Sequence, residues 1–240
     1  MPLRPARPWA LFFAGLFANQ FAVSAASAQS LNVFEQLQNA GLSIWAIGAL
    51  SVLALAVALE RALHLRRARL VPAGLVDAVL PAWRQGDGDA VQQALARSPS
   101  LLAEVLASWW QHRHAGAAAL ERRGGDLASR ALRAHQQRAY PLAVVATVAP
   151  IVGLLGTVVG MIEAFHVIAF TGALGDPTLL AGGISKALVN TAAGLTVALP
   201  ALALHHLFKH RLATVGLALE GELQRVLDAA FPAPEVRDAH

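Results

Sequence analysis

The chain has 240 residues, of which 56% are hydrophobic and only 14% charged, with no cysteine and a formal net charge of +4. Soluble domains carry nearer a quarter charged residues, so this balance points to an integral membrane protein. The missing cysteines exclude disulfides, thiolate metal sites and cysteine nucleophiles. The basic surplus is mostly arginine beside apolar segments, where membrane topology uses it, and is not read as a nucleic-acid footprint.

Residues 1–28 read as a secretory signal peptide. Arg4 and Arg7 form a basic start, "WALFFAGLFA" a short apolar core, and Ala26-Ser27-Ala28 a small-x-small cleavage site. Asn19 and Gln20 interrupt the apolar run, which leaves a retained membrane anchor as the alternative. Residues 29–40 follow as a short amphipathic lead-in. From Gly41 to Leu59 there is no charge, and 41–60 suits a first spanning helix. It exits through Glu60-Arg61 into a cluster of Arg66, Arg67 and Arg69, which the positive-inside rule assigns to the cytoplasm.

Residues 61–138 are a different material, with twelve arginines against six acids. Alanine, leucine and glutamine predict a cytoplasmic helical domain. "RQGDGDA" (84–90) reads as a turn and helix start, with Asp87 or Asp89 as cap. "RRGGD" (122–126) reads as a second break. Trp83, Trp109 and Trp110 are expected in a core or at the membrane surface.

A second span covers 139–170, where Glu163 is the formal charge within the apolar stretch. A short turn-rich periplasmic loop is expected over 171–183, and a third span over 184–208. Lys209 and Arg211 close that span on the inside. Residues 209–240 are expected to begin as a cytoplasmic helix and to fray over "FPAPEVRDAH". The expected fold is therefore all-α: three transmembrane helices extended into a cytoplasmic helical bundle, with the N-terminus periplasmic.

The last two spans carry polar and small residues in pattern. Gly153, Gly156 and Gly160, with Ala164, mark one span, and Gly194, with Thr191 and Ala198, marks the other. Such small faces let helices approach closely in lipid and predict a tight homo-oligomeric bundle. Thr157 and Thr191 lie near mid-span. Each singly is expected to bond its own helix carbonyl, while together they are candidates for a pore lining. Glu163 lies six residues from Thr157 and Lys186 five from Thr191, about 9 and 7.5 Å along the two helices. Both charges thus sit at one depth, turned away from the threonines. An unpaired lysine is costly in lipid, so an ion pair between Lys186 and Glu163 is one expectation and a snorkelling lysine the other. Pro150 and Pro200 are expected to kink their helices. His205 and His206 are expected at the membrane interface.

"APIVGLLGTVVGMIEAF" and "ISKALVNTAAGLTVALPAL" resemble the MotA/TolQ/ExbB proton-channel family, as does "SVLALAVALERALHLRR" in the first span. The resemblance covers about residues 41–210 and is greatest to ExbB. It implies a pentamer in the inner membrane around a dimer of a single-span ExbD-like or TolR-like partner, whose membrane aspartate carries protons. The work would go to a TonB-like or TolA-like protein. Thr157 and Thr191 would fall on the family's pore threonines. Where ExbB and TolQ members often have an acid, this chain has Lys186.

The chain shows no GxxxxGK[ST], HExxH or GxSxG pattern, so no enzymatic role, metal or cofactor is expected. The readings carried forward are an ExbB-like motor subunit, a TolQ-like subunit for envelope integrity, and a non-conducting membrane scaffold.

Overall fold

The computed structural model describes residues 41–64, 70–171 and 177–231. The expected signal peptide and lead-in, the arginine cluster at 66–69, the loop centre at 172–176 and the tail from 232 lie outside these residues. The described residues are mostly helical, joined by short turns and without strands: α1 (Leu42–His64), α2 (Leu75–Gln85), α3 (Gly88–Ala96), α4 (Leu101–Gln111), α5 (Ala117–Thr171) and α6 (Pro177–Ala230), with a single 3-10 turn at Arg113–Ala115. Three of them, α1, α5 and α6, contain stretches long and apolar enough to cross a membrane. Their apolar side chains stay largely outside any protein core. In α1, Leu42, Trp45, Val52 and Leu55 are exposed, as are Ile151, Leu154 and Phe165 of α5. A helix apolar all round belongs in lipid.

The chain divides into two compact units: one of Met1–Ile47 with Ile151–Leu195, the other of Gly48–Pro150 with Thr196–His240. The second unit holds the larger core. Val76, Val79, Val91, Leu102, Val105, Leu106, Leu120 and Leu219 are fully buried there. Local signals set its short helices. Gly86 takes φ 72°, which L side chains rarely adopt, and its N–H and that of Asp87 return to the carbonyls of Trp83 and Ala82. The next residue starts the following helix: the Asp87 carboxylate accepts from the backbone N–H of Asp89 and Ala90 at 3.1 and 3.0 Å. Ser100 caps α4 in the same manner through Ala103 N–H. Arg225 of α6 reaches Asp77 of α2 at 2.6 Å, and this hydrogen bond holds the guanidinium proton more tightly than usual.

The three tryptophans lie in this core. Trp83 and Trp110 meet edge to face at 5.1 Å, and Trp109 is 1% exposed. The break expected at "RRGGD" is not there, because α5 runs unbroken from Ala117 to Thr171. The reason is Trp109. A Cβ on Gly124 would lie 2.6 Å from its indole Nε1, so the glycine is the seat of a buried ring. Glycine in a helix costs about 1 kcal/mol. Burying a tryptophan returns about 4 kcal/mol or more at 25 cal/mol/Å². Tertiary packing therefore wins over local propensity.

In the same unit Leu50 and Ala54 of α1 pack against a small cluster of Val145, Ala149, Ala198 and Ala201. Pro150 and Pro200 both lie inside continuous helices. The expected 171–183 loop is shorter than its turn-rich composition implies. α6 begins at Pro177, a residue whose fixed φ suits a first helical position.

Candidate functional site: the glycine seam of α5 and α6

The first unit places polar groups on a seam of small residues. On α5, Gly153, Gly156, Gly160 and Ala164 recur at intervals of three and four, hence along one face, and all four are buried. On α6 the facing residues run the opposite way along the chain. A Cβ on Gly153 would meet the Asn190 carbonyl oxygen at 2.8 Å and Gly194 Cα at 3.3 Å. One on Gly156 would meet Asn190 Cβ at 2.8 Å, and one on Gly160 would meet Ala187 Cβ at 3.3 Å. At the far end Gly183 faces Ala164, whose Cβ lies 2.3 Å from where a side chain would begin. The two helices are antiparallel and touch backbone to backbone. Gly183, which composition marks as a turn residue, works here as a helix contact.

Close approach brings carbonyls within reach of side chains. Thr191 Oγ1 donates to the Gly153 carbonyl at 3.3 Å, and Asn190 Nδ2 donates to the Gly156 carbonyl at 3.4 Å. Two neighbouring residues of α6 thus hold two carbonyls one turn apart on α5. Each such bond is worth about 0.6 kcal/mol between membrane helices. Asn190 is 1% exposed. Sequence reasoning passed over it; its signal was a carboxamide in an apolar run, beside a threonine that drew the notice. Ser43 of α1 also reaches this level, with its Oγ 2.8 Å from the position of a Gly156 Cβ.

The two threonines are used differently. Thr157 Oγ1 bonds its own helix at the Leu154 carbonyl, 2.6 Å away. Thr157 also borders a shallow apolar groove of ≈ 710 Å³ with Met161, Phe165 and His166. Thr191 instead turns into the seam. One hydroxyl thus has its acceptor on its own helix and the other on the neighbouring helix.

Lys186 and Glu163 come together. Lys186 Nζ donates to Glu163 Oε2 at 2.7 Å, with the lysine side chain 29% and the glutamate 54% exposed. In water a pair this open is worth about 0–1 kcal/mol. Among apolar surroundings the comparison is with a lone charge, which costs about 2.5–3.5 kcal/mol at mid-bilayer. Pairing there removes a penalty. Among the described residues no three His, Asp or Glu side chains converge as metal ligands.

The segment that carries the polar seam has counterparts in known proteins. The pattern of the MotA/TolQ/ExbB proton channel family matches residues 97–220. The chain is 45% identical over 62 residues to the biopolymer transport protein exbB1 of Vibrio cholerae, covering 26% of this chain and 27% of that protein. It is 41% identical over 70 residues to the biopolymer transport protein ExbB of Aquifex aeolicus, covering 29% of this chain and 47% of the relative. A longer match, 29% identical over 172 residues, joins it to a putative ExbB-like biopolymer transport protein of Synechocystis, over 66% of this chain and 76% of the other. The first two matches span less than half of either relative. The family match includes the seam, both threonines and the Lys186–Glu163 pair, and takes in just over half of the sequence: this chain belongs to the MotA/TolQ/ExbB proton channel family, and within it is most like ExbB.

Proposed function

We propose that this chain is an inner-membrane subunit of a motor driven by the proton-motive force. It works as a homopentamer with an ExbD-like single-span partner and energises TonB-dependent transport at the outer membrane. Its N-terminus is periplasmic and its C-terminus cytoplasmic. The family match across the seam of α5 and α6 carries this reading. The names of the relatives, biopolymer transport proteins, support the transport role. The arginines after α1 support the orientation.

In this reading Thr157 and Thr191 lie on the proton path, and the acid that binds and releases the proton is the partner's. Lys186 stands where many family members carry an acid, and its pairing with Glu163 leaves no net charge at that depth. The energy is adequate without nucleotide chemistry: one charge crossing 100 mV yields about 2.3 kcal/mol, so a few protons drive a conformational step. The chain itself needs no cofactor, metal or enzymatic residue.

The test is proton flux into liposomes holding this chain, with and without its single-span partner. Flux that requires the partner and is lost in Thr157→Val/Thr191→Val supports the motor. Absence of flux with the partner bound overturns it in favour of a non-conducting scaffold. One observation favours that second reading: both threonine hydroxyls already donate to carbonyls, a packing use that needs no ion.

A further inference from the structure

Arg61 ends the apolar run of α1, yet its side chain is only 1% exposed. Glu60 pairs with its Nη2 and balances its charge. Its Nε and Nη1 are enclosed and find no hydrogen-bond partner among the described residues, and the same holds for Nδ1 of His205 on α6. Both side chains line one cavity of ≈ 10 Å³ in the second unit, whose wall also includes Ala139, Phe208 and Leu212. Enclosed polar groups without a partner are costly, so native sites supply one.

We propose that this cavity is a structural water site: one water accepts from Arg61 and donates to Nδ1 of His205, and so holds His205 as the tautomer with its proton on Nε2. The volume is that of about one water. The charge needs nothing more, because Glu60 already balances Arg61 and Lys209 is exposed to solvent. The polar atoms are of the right kind, since buried waters bond groups that otherwise lack partners. The tautomer follows from counting. Arg61 offers only donors, so the water faces it with a lone pair and turns its protons elsewhere. A bare Nδ1 takes one of them. With a proton on Nδ1, Arg61 and His205 would present three donors between them, against two lone pairs on the water. The water thus joins the inner end of α1 to α6, two helices that otherwise meet here through apolar walls, and it sets which ring nitrogen of His205 is the donor.

The experiment uses the full chain in lipid nanodiscs with nitrogen-15-labelled histidine, under mildly alkaline conditions where histidine rings are neutral. His205 is one of nine histidines, and its ring signals are those lost in His205→Asn. Nδ1 of His205 is expected to resonate as an unprotonated ring nitrogen and Nε2 as a protonated one, with a cross-peak to a slowly exchanging water. Ala139→Val adds two methyl groups to the wall while keeping Arg61 and His205. It is expected to remove the water cross-peak and to shift the Nδ1 signal. Stability gives an independent reading. His205→Asn keeps an amide oxygen near the place of Nδ1 and is expected to hold the Tm close to that of the wild type, whereas His205→Leu is expected to lower it by about 3 °C. A proton on Nδ1, which would mean that the water donates to another wall residue such as His135 or Gln136, overturns the proposal. So does a ring with no slowly exchanging water beside it, a signature that Ala139→Val leaves unchanged, or an equal Tm for His205→Asn and His205→Leu.

Discussion

Thr191 donates its hydroxyl to the carbonyl of Gly153 on the neighbouring helix, 3.3 Å away, and so spends its polarity inside the seam. Thr157 spends its own on the preceding turn of the same helix. This difference separates the roles of two residues that look alike in sequence. Thr191→Val is expected to destabilise the folded chain by about 0.6 kcal/mol. Thr157→Val is expected to leave thermal stability within about 0.5 kcal/mol of wild type. Thermal unfolding in detergent measures both. A stable Thr157→Val that has lost proton flux would place that hydroxyl on the path. Equal destabilisation by the two changes would mean the seam bond has no special weight.

The seam glycines should differ in their tolerance of a methyl group. Gly153→Ala and Gly156→Ala drive a Cβ to 2.8 Å of α6 and are expected to cost about 1–3 kcal/mol. Gly160→Ala, at 3.3 Å, should cost less. Gly182→Ala meets nothing within 4 Å and is expected to be neutral or to gain up to about 1 kcal/mol. Ranking the four by Tm checks the seam; a Gly182 variant as damaging as Gly156→Ala would refute it.

For Lys186 and Glu163 the diagnostic is non-additivity. Lys186→Ala leaves a carboxylate, and Glu163→Ala a lysine, each without its 2.7 Å partner. The double change removes both charges. It is expected to harm assembly less than Lys186→Ala alone, with a coupling of about 1 kcal/mol. Simple addition of the single effects would show that the contact contributes nothing.

In the second unit Gly124 and Gly125 form an internal control. Gly124→Ala pushes a methyl to 2.6 Å of Trp109 Nε1 and should destabilise by about 1–3 kcal/mol. Gly125→Ala faces open space and should stabilise by up to about 1 kcal/mol. Denaturation followed by tryptophan fluorescence reads both, since Trp109 reports on the perturbed contact. The same sign for the two variants would mean the indole is not seated on Gly124.

Much of this was legible in the sequence because the signals were local. Charge-free runs give the apolar helices, and Asp87 beside a glycine gives a helix start. The depth of Glu163 and Lys186 followed from helical rise alone, and the structure sets their charged atoms 2.7 Å apart. What was not legible depended on distant partners. "RRGGD" reads as a break until Trp109, which sits in another helix, explains Gly124. Gly183 reads as a turn until Ala164 comes against it. Asn190 carries no periodic signal; its use depends on which α5 carbonyl is near. Thr191 was visible as a mid-span hydroxyl, but nothing in sequence tells which neighbour it faces.

A contact made of glycines has no rotamers to exchange. Leucine and valine interfaces yield by swapping side-chain positions, whereas Gly153, Gly156 and Gly160 have nothing to swap. A slip of one residue along α6 would put Leu188 where Ala187 fits or Val189 where Asn190 fits. The paired segments of α5 and α6 therefore behave as one stiff hairpin with a single register. Any movement of one of these faces therefore carries the other with it.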